Sequence, residues 1–80
     1  MSTPDYRDIL MGRWKQLRGE VRREWGKLND NQIDQINGDY ERLVGVLQEN
    51  YGYTHDKAVQ EADRWIDNMA RGAKDPYGNP

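Results

Sequence analysis

The chain predicts an all-α domain of four helices, and three features carry that expectation. Apolar residues recur at intervals of three and four from Tyr6 to Leu28 and again from Tyr40 to Met69, the period of one helix face and not the alternation of a strand. Capping residues and glycines punctuate the chain closely, so the connections are short. No run of strand-forming residues competes. Eighty residues leave room for one small core.

The first helix is expected from Pro4 to Lys27. Thr3 is its cap, Pro4 suits the first helical position, and Asp5 complements the positive end of the helix dipole. Its stripe is Tyr6, Leu10, Trp14, Leu17, Val21, Trp25 and Leu28. Gly12, Gly19 and Gly26 interrupt it seven residues apart, and each interior glycine costs a helix about 1 kcal/mol relative to alanine. Their alignment suits the close approach of another helix, which is the expectation at Gly19. The plainer reading makes Gly12 a kink and Gly26 a stop.

A short second helix follows from Asp30 to about Asn37. Asn29 and Gln32 have the spacing of a capping box, Leu28 and Ile33 that of a hydrophobic staple, and Gly38 ends the helix. The third helix, Asp39 to Tyr51, carries Tyr40, Leu43, Val44, Leu47 and Tyr51 on one face. Gly52 terminates it, and Tyr53 folds back on Leu47. Thr54 caps the fourth helix, whose inward residues are Ala58, Ala62, Trp65, Ile66 and Met69 and which closes at Gly72. Residues 1–71 are thus the expected domain. Residues 72–80, with two Gly, two Pro and no periodicity, are expected to be disordered. The core should join Trp14, Trp25 and Trp65 to Leu17, Val21, Leu43, Leu47 and Ile66.

Composition narrows the function classes. The chain is 32% charged and 35% hydrophobic, with a mean hydropathy of −1.19, values close to those of disordered chains. Three Trp and five Tyr oppose that, because each buried ring removes much apolar area from water. The absence of Cys excludes disulfides, thiolate catalysis and Cys-ligated metal, and a single His excludes any site with two imidazoles. His55 is expected to be a solvated residue of a helix's first turn. Ser2 is the only serine and no nucleophile elbow surrounds it. The acidic stretch from Asp30 to Glu41 fails as an EF-hand: with Gly38 at the turn, Ile33 occupies the first ligand position. No phosphate-binding glycine loop occurs. The expectation is no enzyme, no cofactor and no metal. The longest apolar stretch, Leu43 to Leu47, is five residues, so no membrane segment is expected and the cytoplasm is the default location.

Charge is the remaining signal. Net charge is −2, but Arg7 to Lys27 holds seven basic and three acidic residues while Asp30 to Asp67 holds three basic and nine acidic. Arg13, Lys15, Arg18, Arg22, Arg23 and Lys27 are therefore the candidate surface for a partner or for nucleic acid. Trp14 and Trp25 lie on the apolar stripe, which suits core residues better than base-stacking platforms. The expected arrangement is a basic first helix packed across an acidic remainder, with nucleic-acid affinity no tighter than about 10⁻⁴–10⁻⁶ M.

One series of phrases is more specific. Gly12-Arg13-Trp14-Lys15-Gln16-Leu17-Arg18-Gly19, Val21, Trp25-Gly26-Lys27-Leu28, Leu43-Val44-Gly45, Gln48-Glu49, Tyr51-Gly52-Tyr53, Ala58, Glu61 and Trp65 follow in order. This series closely resembles the CsbD-like family of small bacterial stress proteins, from about Gly12 to Trp65. The resemblance implies four helices in hairpins packed crosswise, as in SAM-like domains. It also implies a cytoplasmic bacterial protein of the general stress response with no catalytic motif, so the shared residues mark the fold. Ser2 to Met11 and the Gly/Pro tail depart from the pattern. Two roles fit within that class: a hydrophilin-like protectant, or a folded adaptor for an unknown protein partner. Weak, non-specific nucleic-acid binding through the basic helix is the alternative from another class, and a monomer is expected.

Overall fold

The computed structural model describes residues 5–71, which form five helices where four are expected. They are α1 (Tyr6–Gly12), α2 (Trp14–Glu24), α3 (Asp30–Ile36), α4 (Tyr40–Tyr51) and α5 (His55–Ala70). Thr3 and Pro4, the expected start, and the tail from Gly72 lie outside the described residues. Asp5 caps α1, its carboxylate accepting from the N–H groups of Arg7 and Asp8.

The extra helix arises because the expected first helix breaks at Arg13. Arg13 has φ −113° and ψ 16°, outside helical geometry and in the sparsely populated bridge region. Its N–H still reaches the Ile9 carbonyl at 3.0 Å, and its own carbonyl accepts from Gln16 and Leu17 at 2.9 and 2.8 Å. A single residue thus ends one helix and starts the next with its backbone groups bonded. The break lets the two halves pack on different elements: α1 meets α4 and α5, whereas α2 meets α3. The turn between α3 and α4 sits against it. A Cβ on Gly38, whose φ is +80°, would lie 3.3 Å from both Met11 Cα and Trp14 Cβ.

The close backbone approach expected at Gly19 is therefore found at Gly38 instead. Around Gly12, Gly19 and Gly26 an added Cβ would meet nothing within 4 Å. The first two are exposed helical positions, and Gly26 lies in the turn after α2, which ends at Glu24 and not at Lys27.

The other punctuation forms largely as expected. Asn29 and Gln32 complete the capping box, with reciprocal bonds of 2.9 and 2.8 Å, and Leu28 and Ile33 are both buried. Asn37, at φ 47°, takes the left-handed C-cap of α3 one residue before Gly38. Asp39 is the N-cap of α4 and lies outside its first turn. Gly52 ends α4 at φ 68°. Tyr53 stacks on Tyr51, ring centres 5.4 Å apart. Thr54 Oγ1 accepts the Lys57 N–H at 3.1 Å and opens α5.

Leu10, Val21, Ile36, Leu43, Val44, Leu47 and Ile66 are fully enclosed. Ala58 and Ala62 are also buried, on the inward face of α5, which packs on α4 and α1. Trp25 and Trp65 meet edge to face, with ring centres 5.1 Å apart and planes at 62°. Trp14 is the exception to the expected core. It is only half-buried, at the margin beside Gly38, because the Arg13 break turns the stripe there.

Candidate functional site

The six candidate basic residues do not form one free surface. Arg18 and Arg22, one turn apart on α2, pair with Asp34 and Asp30, one turn apart on α3. The two pairs are rungs of a ladder between antiparallel helices, flanking a shallow depression of about 360 Å³ that Gly19 and Ile33 help to line. All four side chains are about half exposed or more, so each pair contributes at most about 1 kcal/mol. What the ladder does is neutralise two cations at short range. Arg23 lies 3.9 Å from Glu20 on its own helix. The Lys27 ammonium lies 5.1 Å from the centre of the Tyr51 ring, and its backbone N–H donates to the Tyr51 hydroxyl at 3.3 Å. Arg13 and Lys15 are exposed and make no ion pair among the described residues.

A second cluster escapes sequence reading altogether. It is a seam where α1 and α4 meet α5, beside an open depression of about 490 Å³ lined by Tyr6, Arg7, Tyr40, His55, Val59 and Asp63 among others. The buried Tyr40 donates its hydroxyl to Asp63, and Tyr6 donates to Asp67 Oδ1 at 3.3 Å. Asp67 also takes the Arg71 guanidinium through Nε at 3.0 Å and Nη2 at 2.8 Å. Arg7 pairs with Glu41 and lies 5.0 Å over the Tyr40 ring. Burial first, then the hydrogen bond to Asp63, pushes the Tyr40 hydroxyl far above the usual phenol range. Burial, then the charge of Asp67 and the hydrogen bond to it, raise Tyr6. Both phenols are thereby held as proton donors, a structural use of the group and not that of an acid–base catalyst near neutrality. The signal available in the sequence was the spacing of Asp63 and Asp67, one helical turn apart beside an apolar stripe. A tyrosine at the edge of a core needs such a partner for its hydroxyl.

Elsewhere Glu61 sits between Lys57 at 3.1 Å and Arg64 at 2.7 Å, and their hydrogen bonds hold its carboxyl below the usual range. His55 is exposed at the rim of the seam depression. Among the described residues no group of three or more His, Cys, Asp or Glu is placed to hold a metal ion. No helix there is long and apolar enough to cross a membrane.

Comparison with known proteins bears directly on residues 8–60, which match the CsbD-like family model. The chain is 46% identical over 59 residues to the UPF0337 protein YjbJ of Escherichia coli, covering 74% of this chain and 86% of that protein. It is 42% identical over 60 residues to a UPF0337 protein of Bordetella pertussis, covering 75% and 91%. To a UPF0337 protein of Pseudomonas aeruginosa it is 40% identical over 62 residues, covering 78% and 95%. No solved structure matches. The family match spans the Arg13 break, the α2–α3 ladder, all of α4 and the start of α5, and on it the chain belongs to the CsbD-like family.

Proposed function

We propose that the protein is a non-enzymatic, cytoplasmic stress-response protein that acts as a hydrophilin-like protectant, through the folded domain of residues 1–71. The crosswise, SAM-like packing of its hairpins belongs to the same reading. One observation favours this role over that of an adaptor. Met11, 65% exposed, is the only large hydrophobic side chain among the described residues that is mostly exposed. Docking faces for specific protein partners usually carry a contiguous apolar patch. Here the surface carries mixed charges instead, in ion pairs such as Arg7–Glu41, Arg18–Asp34 and Lys57–Glu61. Such a surface holds water and offers no broad apolar face on which unfolding neighbours could collect.

The test is recovery of a labile enzyme after drying, with this protein added or with an inert protein of equal mass. Recovery well above the control is expected, and recovery equal to the control refutes the protectant role. Capture of one stoichiometric protein partner from stressed cells would favour the adaptor instead. For nucleic acid, fluorescence anisotropy at two salt concentrations is expected to give binding no tighter than about 10⁻⁴–10⁻⁶ M. Submicromolar binding at physiological salt, weakened by Arg18→Gln, Arg22→Gln and Arg23→Gln, would reverse that ranking.

A further inference from the structure

The apolar stripe from Tyr6 to Trp25 has the spacing of one continuous helix, yet the chain divides it at a single residue. Arg13 stands at φ −113° and ψ 16°. Rotations of roughly 50–60° in each dihedral would return it to helical values. Its N–H already bonds to Ile9 and its carbonyl to Leu17, the partners of an unbroken helix. No side chain caps α2 at this point, and the bend is set by packing, with the Gly38 turn against Met11 and Trp14 on either side of it. The rest of what holds α1 in place lies on α4 and α5. Leu10 is fully buried, Tyr6 and Ile9 are half-buried against the core, Tyr6 bonds to Asp67, and Arg7 pairs with Glu41.

These contacts are complementary to one occupant, α1, and a second copy of the chain carries the same α1. We propose that the chain forms an exchanged dimer in which Arg13 straightens, α1 and α2 become one helix, and each α1 takes its place on the α4–α5 surface of the other copy. The contacts of α1 with α4 and α5 are kept in such a dimer, and those with α2 are remade at the hinge. Exchange through a short hinge is a common route to symmetric dimers. Concentration and the helical preference at position 13 then set the balance between monomer and dimer.

The experiment uses the full chain, refolded at millimolar concentration and sized by light scattering after chromatography. A dimer that returns slowly to monomer on dilution is expected. Arg13→Gly keeps the bend but disfavours a continuous helix at both hinges, and should lower the dimerisation constant by about tenfold or more. A charge-reversal pair tests the exchange itself. Arg7→Glu in one chain and Glu41→Arg in another each leave like charges facing within a closed monomer. Mixed and refolded together, the two chains satisfy both sites only in an exchanged heterodimer, so native mass spectrometry should show it in excess over both homodimers. Circular dichroism checks that each variant, altered at side chains about 62% exposed, is folded. A wild-type chain that stays monomeric at millimolar concentration overturns the proposal. So does a dimer indifferent to Arg13→Gly, or a mixture that assorts at random.

Discussion

Trp25→Ala is expected to remove a large part of the stability of the domain. The side chain is 3% exposed, and its ring meets Trp65 edge to face at 5.1 Å. Truncating a buried tryptophan to alanine costs about 3–5 kcal/mol, through lost transfer energy and the cavity left behind. Of this, roughly 0.5–1.5 kcal/mol belongs to the aromatic pair itself. A chain of 80 residues has a total stability of about 4–12 kcal/mol, so the variant should lose at least about a quarter of it, and all of it at the lower end of that range. Urea titration followed by circular dichroism, with tryptophan emission recorded in parallel, measures the loss as a shift of midpoint at constant slope. Trp14→Ala is the internal control: its side chain is only half-buried, so its cost should be clearly smaller. A Trp25→Ala variant within about 1 kcal/mol of the parent, or equal losses at the two positions, would show that the edge-to-face pair is not the centre of the core.

Gly19→Ala should stabilise by up to roughly 1 kcal/mol, since its added methyl meets nothing and alanine is the better helix former. Gly38→Ala should destabilise by more than that in the same titrations, because its φ is +80° and the methyl would press on the Met11 backbone. Tyr40 is held protonated in the fold and ionises freely when unfolded. Its contribution is therefore whole below the ordinary phenol pKa of 10.0 and lost as pH rises beyond it. Stability measured from pH 8 to 11 should fall more steeply for the parent than for Tyr40→Phe. Asp30→Asn with Asp34→Asn frees Arg22 and Arg18. Any non-specific DNA binding should then strengthen, with a salt slope steeper by up to about 2, as read by anisotropy.

Local rules made most of the fold legible. The Asn29–Gln32 box, the Thr54 cap and the Gly52 terminus each follow from residues within five positions of one another, and each forms; Leu28 and Ile33, spaced as a staple, are both buried. The Arg13 break does not, because its cause is distant. The α3–α4 turn at Gly38 presses on Met11 and Trp14, more than twenty residues earlier, and α4 and α5 draw α1 onto themselves. Periodicity reports which residues face inward, and Leu10, Leu17, Val21 and Trp25 do. It is nearly blind to a bend at one exposed residue that keeps its hydrogen bonds. The same contact explains why glycine spacing misled. Gly12, Gly19 and Gly26 share a line but face open space, while Gly38 carries both the positive φ and the tight approach.

The charged surface was half legible for a related reason. The excess of cations before Lys27 and of anions after Asp30 is plain in the sequence, and opposite charges on adjacent helices were expected to meet. Which residues meet depends on the register of the α2–α3 hairpin. That register comes from its turn, where the Leu28 N–H closes on the Trp25 carbonyl at 3.0 Å and both side chains are buried. Once the turn is placed, the pairs follow: Arg22 with Asp30 and Arg18 with Asp34 are both centred on Gly26. Arg13 and Lys15 lie too far up α2 for α3 to reach, since α3 ends at Ile36. Hairpin length thus decides that α3 neutralises Arg18 and Arg22 and leaves Arg13 and Lys15 to solvent. Arg13 and Lys15 at one end of α2 and Lys27 beyond the other are a small, divided charge beside the acidic excess of α4 and α5. That imbalance favours a hydrated surface over one that gathers phosphates.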